Sequence, residues 1–240
     1  MPKITKAVIL VGGLGTRMRH LTDDQIPKAL VMLKGKTLTE HNIENLKRMG
    51  INEIVLSIGH HAEKVKAYFG DGSRFGVKIS YVVENEPLGT GGWMNLIDKK
   101  EFKSTFMVLN GDDILKLGKE GMAGFQGLHK ENNALVSIAL SETGDVSIKG
   151  VAELRDDKIL RFVEKPKPEE APSNLISTGN YLFEPEVLSL MQDRVKISLE
   201  RDVFPLIASK EKLCGFNPKA EWHSIGNKEE YEIAEKRKEL

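Results

Sequence analysis

The stretch Lys6-Ala-Val-Ile-Leu-Val-Gly-Gly-Leu-Gly-Thr-Arg17 decides the fold. Residues 7–11 are apolar without interruption and rich in β-branched side chains. With no polar alternation, they read as a strand buried on both faces and ended by Gly12-Gly13. A strand of that kind belongs inside a parallel sheet, and open α/β sheets bind ligands at the C-terminal ends of such strands. Glycines at that point let the backbone approach a ligand, and successive N–H groups form an anion nest. Arg17 adds a fork of donors suited to phosphate oxygens. A plain strand-to-helix turn would use the same glycines, so the loop alone leaves both readings open. Two better-known glycine motifs are excluded. Gly13-x-Gly15-x-x-Met18 lacks the third glycine of the dinucleotide fingerprint, and no Gly-Lys-Ser/Thr directly follows Gly15 at the spacing a P-loop needs.

Working outward, Thr37-Leu-Thr-Glu40 has the form of a capping box. Ile43, Leu46 and Met49 then recur at helical spacing up to Gly50. Residues 53–58 read as a strand, 61–69 as a helix stopped by Gly70, and 77–83 and 106–110 as strands. This β-α-β-α-β series predicts a mixed, mostly parallel, Rossmann-like sheet flanked by helices, with right-handed crossovers. Residues 134–140, 150–154, 158–163 and 175–183 are strand-like with short separations. The stretch 165–174, with Pro166, Pro168 and Pro172, reads as a loop. Residues 222–225 read as a strand and 227–238 as a helix capped by Asn227 and supported by Glu232 and Lys236. No internal repeat or low-complexity linker interrupts the chain, so a single domain over 1–240 is expected.

Composition narrows the function. The chain has 240 residues, with 35 Lys plus Arg against 35 Asp plus Glu. At about 150 residues per domain, that length admits one large or two small domains. A zero charge balance argues against nucleic acid as partner, because phosphate contacts demand a basic excess. No segment is apolar enough to span a bilayer, so no membrane role is expected. The short run behind Lys3 and Lys6 lacks a signal-peptide cleavage site. Cys214 is the only cysteine, which excludes an intrachain disulfide and a cysteine-rich zinc site. Together these point to a cytoplasmic protein.

Further along, Pro27-Lys28 supplies a second cation, and Asn110-Gly-Asp-Asp113 ends another expected strand. A carboxylate at a strand's C-terminal edge, beside a phosphate loop, is where Mg²⁺ would bridge protein and phosphates. An acidic turn alone would mean little; nest, Arg, Lys and Asp together describe a site for a triphosphate and a metal.

These residues, with others in the same order, resemble the sugar-1-phosphate nucleotidyltransferases (NDP-sugar pyrophosphorylases). The resemblance runs nearly end to end. It is carried by Leu10-Val-Gly-Gly-Leu-Gly-Thr-Arg-Met-Arg-His-Leu-Thr22, Pro27-Lys-Ala-Leu30, Glu86-Pro-Leu-Gly-Thr-Gly-Gly92 and Asn110-Gly-Asp112. Further on it is carried by Glu164-Lys-Pro166, Thr178-Gly-Asn-Tyr181, Glu200-x-Asp-Val-Phe-Pro205 and Trp222-x-x-Ile-Gly226 with Tyr231. The resemblance implies a GT-A-like fold with a nucleotide-binding half over about 1–130 and a sugar-binding half over about 131–240. Many relatives append a C-terminal β-helix; the sequence ends just after the Tyr231 block, so none is expected here. Members are often dimers or tetramers, which makes a homo-oligomer an expectation to test.

The implied reaction is Mg²⁺-assisted transfer of a nucleotidyl group from an NTP to a sugar 1-phosphate. By resemblance, Arg17 and Lys28 hold the triphosphate, Lys165 holds the sugar phosphate and Asp112 binds the metal. The nucleotide set is Gly12, Gly13, Gly15, Thr16, Arg17, Lys28, Glu84, Pro87, Leu88, Gly89 and Thr90. Gly150, Glu164 and Gly179 line the sugar beside Lys165. Glu84 stands where relatives carry a base-reading Gln or Glu. A carboxylate accepts from both N1–H and N2–H₂ of guanine but has no donor for the carbonyls of uracil or thymine. Glu84 therefore favours GTP, and the turn after it looks most like that of mannose- and heptose-1-phosphate guanylyltransferases. The sequence also departs from the pattern. Ser224 stands where the family has its last metal-ligand Asp, with Asp113 as a candidate compensating ligand. His20 replaces a usual Pro, Lys149 a usual aromatic and Ser177 a usual Asn. Two other readings stay open: a uridylyl- or thymidylyltransferase of the same fold, and a nucleotide-sugar-binding regulator without turnover. Away from these motifs, His60-His61 reads as a helix start, Trp93 and Trp222 as packing residues, and Cys214 as a small buried apolar residue.

Overall fold

The computed structural model describes residues 3–13, 18–22, 25–191 and 193–237. In chain order the first half forms β1 (Lys6–Leu10), α1 (Arg19–Thr22), β2 (Met32–Leu33), β3 (Lys36–Thr37), α2 (Leu38–Met49), β4 (Glu53–Ile58), α3 (Ala62–Phe69), β5 (Lys78–Val83), β6 (Phe106–Asn110) and β7 (Asp113–Leu115). The second half forms α4 (Gly118–Glu131), β8 (Val136–Glu142), β9 (Gly150–Arg155), β10 (Lys158–Glu164), β11 (Leu175–Phe183), α5 (Phe204–Ala208), β12 (Leu213–Phe216), β13 (Trp222–Ser224) and α6 (Lys228–Lys236). Strands 53–58, 106–110 and 175–183 match the sequence reading residue for residue. Most other ends shift by a residue or two, as helix and strand ends do.

The chain divides into two compact units that interleave along the sequence rather than following one cut near residue 130. The first takes segments 1–87, 108–118 and 221–240, and the second takes 88–107 and 119–220. In the first unit, β1, β4 and β5 are parallel, with Leu10 opposite Ser57 and Ile58 opposite Val83. The order β5-β4-β1-β6 brings the C-terminal ends of β1, β4 and β5 together with the turn that follows β6. Helix α2 owes its bounds to its own ends. Glu40 N donates to Thr37 Oγ1 at 3.1 Å and Thr37 N to Glu40 Oε2 at 2.6 Å, while Gly50 at φ 84° closes the helix. A cap of this kind contributes about 1 kcal/mol. The buried face of α2 includes Leu38, Ile43 and Leu46. Leu38 joins Met18, Val31, Leu33, Ile114, Ile225 and Ala234 in one apolar cluster. Helix α6 starts at Asn227, whose side chain accepts from Glu230 N. Along it Lys228 Nζ lies 3.8 Å from Glu232 Oε1, so among the described residues Glu232 pairs backward along the helix with Lys228.

In the second unit the order is β11-β8-β12-β10-β9, with β12 parallel to β8 and the other ladders antiparallel. The sheet is therefore mixed, as expected. Tyr181, Phe162 and Phe204 form its aromatic centre, with ring centroids 5.1 and 5.2 Å apart about Phe204. Helix α4 has no counterpart in the sequence reading. It carries Gly118, Gly121, Gly124 and Gly127, and interior glycine costs a helix about 1 kcal/mol each relative to alanine. Tertiary packing overrides that: Met122, Phe125 and His129 are buried, and Phe125 stacks on Phe216 at 5.3 Å. Gly124 is also where a Cβ would come within 3.2 Å of the Phe216 ring. Among the described residues, no helix is long and apolar enough to cross a membrane.

Candidate active site

In the first unit, the Gly12-Gly13 turn leaves the end of β1. Gly15, Thr16 and Arg17 lie outside the described residues. The turn Asn110-Gly-Asp112 closes onto the same strand end, because Gly111 N donates to Leu10 O at 2.9 Å. A Cβ at residue 111 would lie 2.4 Å from Val11 Cγ1 and 2.9 Å from Leu10 O, so only glycine permits this approach. Asn42, buried on α2, steadies the turn by donating to Gly111 O at 3.3 Å.

Asp112 is partly exposed at the tip of that turn and pairs with the Lys28 ammonium. Asp113 takes the opposite role. It is fully buried, starts β7 and accepts from Asn110 Nδ2 at 3.2 Å. In the β7–β13 ladder it lies opposite Ser224. The Ser224 hydroxyl donates to Glu230 Oε2 at 3.3 Å, and the same oxygen accepts from Gly226 N at 2.6 Å. Among the described residues, no three His, Cys, Asp or Glu gather to hold a metal. Asp112, a partly exposed carboxylate facing a phosphate-type turn, still suits Mg²⁺, which takes one or two carboxylates together with substrate phosphates. The donor set thus fits a magnesium brought with the nucleotide, not one caged by protein.

Glu84 directly follows β5 and stands over Gly12. Its Oε1 would lie 3.4 Å from a Cβ at that glycine. Its main-chain N–H donates to Ile58 O at 2.8 Å, and Ser57 Oγ donates to Oε1 at 2.7 Å. Gly59 matters similarly, since a Cβ there would sit 2.7 Å from Gly12 O. Neither Ser57 nor Gly59 was singled out from the sequence. The available signal was a lone hydroxyl in an otherwise apolar strand, followed by glycine. Pro87 ends this part of the unit, exposed.

In the second unit, Leu88, Gly89 and Thr90 are zipped to the segment before residue 200. Ile197 N donates to Leu88 O at 2.9 Å and Gly91 N to Ile197 O at 2.8 Å. Gly89 has φ 83°, and a Cβ there would lie 2.4 Å from Ile197 O. The Thr90 hydroxyl is spent internally, accepting from Leu199 N at 2.9 Å and donating to Glu200 Oε2 at 2.6 Å. Residues Leu199–Val203 form a π-helical turn, a feature often found at functional sites.

Gly150 and Glu164 pair across the β9–β10 ladder. A Cβ on Gly150 would meet Phe162 Cζ at 2.2 Å and Glu164 Oε2 at 3.0 Å. Burial raises the Glu164 pKa, and the Glu200 carboxylate raises it further; Lys165, Arg201 and Lys149 pull the other way. Lys165 has φ 49°, a left-handed conformation uncommon for a side-chain-bearing residue and concentrated at functional sites. Its Nζ is 3.8 Å from Glu164 Oε1. Gly179, at φ 70°, tops a bulge between Ser177 and Tyr181 in the β11–β8 pairing. The bulge is tied by Gly179 N to Ser177 Oγ (3.2 Å) and Thr178 Oγ1 to Ala139 O (2.8 Å). Trp93 and Cys214 are buried, as expected of packing residues, and His61 starts α3.

The nucleotidyl transferase family model matches residues 6–239. A mannose-1-phosphate guanylyltransferase of Mycobacterium tuberculosis is 35% identical over 228 residues, covering 94% of this chain and 62% of that protein. A UTP–glucose-1-phosphate uridylyltransferase of Synechocystis is 36% identical over 241 residues, with 94% and 61% covered. The chain thus spans less than two thirds of the curated relatives it matches. Among solved structures, HddC of Yersinia pseudotuberculosis complexed with GMP-PN superposes with a TM-score of 0.78 at 28% identity, covering 97% of this chain and 98% of that one. A UDP-glucose pyrophosphorylase complexed with UDP-glucose shares the fold, with a TM-score of 0.82 at 22% identity and 97% of each chain covered. The glycine turn after β1, the Lys28–Asp112 pair and the match over nearly the whole length lead to one assignment: this chain belongs to the nucleotidyl transferase family.

Proposed function

We propose that this chain transfers a nucleotidyl group from an NTP, with GTP favoured, to a pyranose 1-phosphate and releases pyrophosphate. The observation that carries this reading is the pairing of Lys28 with Asp112 on a turn hydrogen-bonded to the end of β1, beside Gly12-Gly13. Guanine is supported by the Glu84 carboxylate at that strand end and by relatives named as guanylyltransferases. The nucleophile is a phosphomonoester oxygen, already largely dianionic near pH 7 because its second pKa is about 6. It needs no general base. It attacks the α-phosphorus, a new P–O bond forms, and the bond to the β-phosphate oxygen breaks. What remains for the protein is positioning and charge neutralisation. In this reading Lys28, with Arg17, holds the triphosphate. Lys165 holds the sugar phosphate, and Glu164, Gly150 and Gly179 line the sugar. Mg²⁺, when bound, would neutralise phosphate charge, with Asp112 as its protein ligand; Asp113 and Ser224 are committed to Asn110 and Glu230. The lone buried Cys214 agrees with a reducing, cytoplasmic setting.

One observation favours a second reading, binding without turnover: Ser224 stands in place of a metal-ligand Asp, its hydroxyl tied to Glu230. The test is pyrophosphate release with Mg²⁺ across GTP, UTP and dTTP paired with several sugar 1-phosphates. Release with GTP supports the proposal. Release with UTP or dTTP but not GTP overturns the guanine argument, and nucleotide-sugar binding with no release from any pair supports the second reading.

A further inference from the structure

Ser57 interrupts the apolar run of β4, and it is buried to 1% exposure. A buried hydroxyl needs a partner, and this one donates to Glu84 Oε1 at 2.7 Å. Glu84 is tied to β4 a second time, through its N–H to Ile58 O at 2.8 Å. On the other side Gly12 lies beside the same oxygen, which would sit 3.4 Å from a Cβ there, at van der Waals contact. Backbone and hydroxyl thus hold one carboxylate at the ends of three parallel strands, beside Gly12. A hydroxyl donating to an ionised acceptor makes a short, strong hydrogen bond. One such donor orients a carboxylate without exhausting its roughly four acceptor positions.

We propose that Ser57 is a positioning residue that sets nucleobase specificity: it holds the plane of the Glu84 carboxylate so that both oxygens meet the adjacent N1–H and N2–H₂ of guanine. This rests on the reading of Glu84 given above and extends it to a residue that need not touch the nucleotide. Two parallel acceptances are geometrically demanding, with tolerances of roughly 10–20°. An untethered glutamate, free about its side-chain torsions, would meet that geometry only part of the time. A hydroxyl serving only to satisfy a buried acceptor would change stability and weaken all nucleotides alike. A positioning hydroxyl changes discrimination.

The experiment measures equilibrium binding of GTP, ITP and UTP to the wild type, Ser57→Ala, Glu84→Gln and the double variant, together with KM and kcat for GTP. ITP keeps N1–H and lacks the 2-amino group, so the GTP:ITP affinity ratio reads the second hydrogen bond. Loss of a hydrogen bond to a charged group corresponds to about a tenfold change. Ser57→Ala is expected to lower the GTP:ITP ratio by about that factor and to act on the KM for GTP rather than on kcat. The double variant is expected to be no worse than Glu84→Gln alone, because Ser57 acts through Glu84. A ratio that drops in Glu84→Gln but not in Ser57→Ala overturns this inference and leaves guanine reading by Glu84 standing. Equal weakening of all three nucleotides in Ser57→Ala also overturns it. A ratio unmoved in Glu84→Gln overturns the reading of Glu84 and this inference with it.

Discussion

Thr90→Val is the most informative single perturbation of the second unit. Valine keeps the shape and removes the hydroxyl that bridges Leu199 N (2.9 Å) and Glu200 Oε2 (2.6 Å). The loss has two parts. A hydrogen bond to a charged acceptor contributes about 1.5–3 kcal/mol, and a buried N–H left without a partner costs about 1–3 kcal/mol. Leu199 is fully buried, so water does not replace the lost acceptor. Glu200 keeps a second donor, Ser198 Oγ at 2.8 Å, which softens the first part. A net loss of about 3 kcal/mol follows, and at about 2–4 °C per kcal/mol for a chain of this size the melting temperature should fall by roughly 6–12 °C. Thr90→Ser keeps the hydroxyl and should stay within about 1 kcal/mol of the wild type. Thermal unfolding followed by circular dichroism on the three proteins decides the matter. A valine variant melting within about 1 °C of the wild type would refute the reasoning, because both partners would then have to be satisfied without Thr90.

Three further outcomes are expected. Gly150→Ala would force a Cβ to 2.2 Å from Phe162 Cζ, on a ring already packed against Phe204. Overpacking should cost about 1–3 kcal/mol and raise the KM for the sugar 1-phosphate while sparing nucleotide affinity, and an unchanged KM in steady-state kinetics would count against Gly150 lining the sugar. The raised Glu164 pKa, caused first by burial and then by Glu200, means the native state holds that proton more tightly than the unfolded chain does. Its contribution to stability is therefore full below the ordinary carboxylate pKa and is lost as pH rises through the elevated one. Urea unfolding should show Glu164→Gln gaining on the wild type as the pH rises above the ordinary carboxylate range; a constant difference would contradict the shift. Burial pushes the Cys214 thiol up to about 11, so the native protein should resist thiol reagents at neutral pH and react only on unfolding, which a colorimetric thiol titration with and without denaturant measures.

Much of the candidate site is legible because its motifs are local. The glycines after residue 11, the lysine after Pro27 and the carboxylates after residue 110 all follow strand-like or turn-like signals that short windows contain. Asp112 and Asp113 show where that legibility stops. Asp112 stays on the turn and meets Lys28, whereas Asp113 enters β7 and is buried in its pairing with β13, a pairing with a segment far along the chain. The glycine-studded α4 was missed because its intrinsic propensity argues against a helix and its support comes from Phe216, far along the chain.

By itself, then, the amino-acid sequence determined the β-α alternation of the first half, the family resemblance and which residue types stand at the motif positions. Tertiary structure alone decided which distant polar groups meet: Ser57 with Glu84 and Thr90 with Glu200. The reason is physical. Capping, periodicity and glycine turns are settled within a few residues, whereas a hydrogen bond between groups 27 or 110 positions apart exists only after packing has brought its partners within reach.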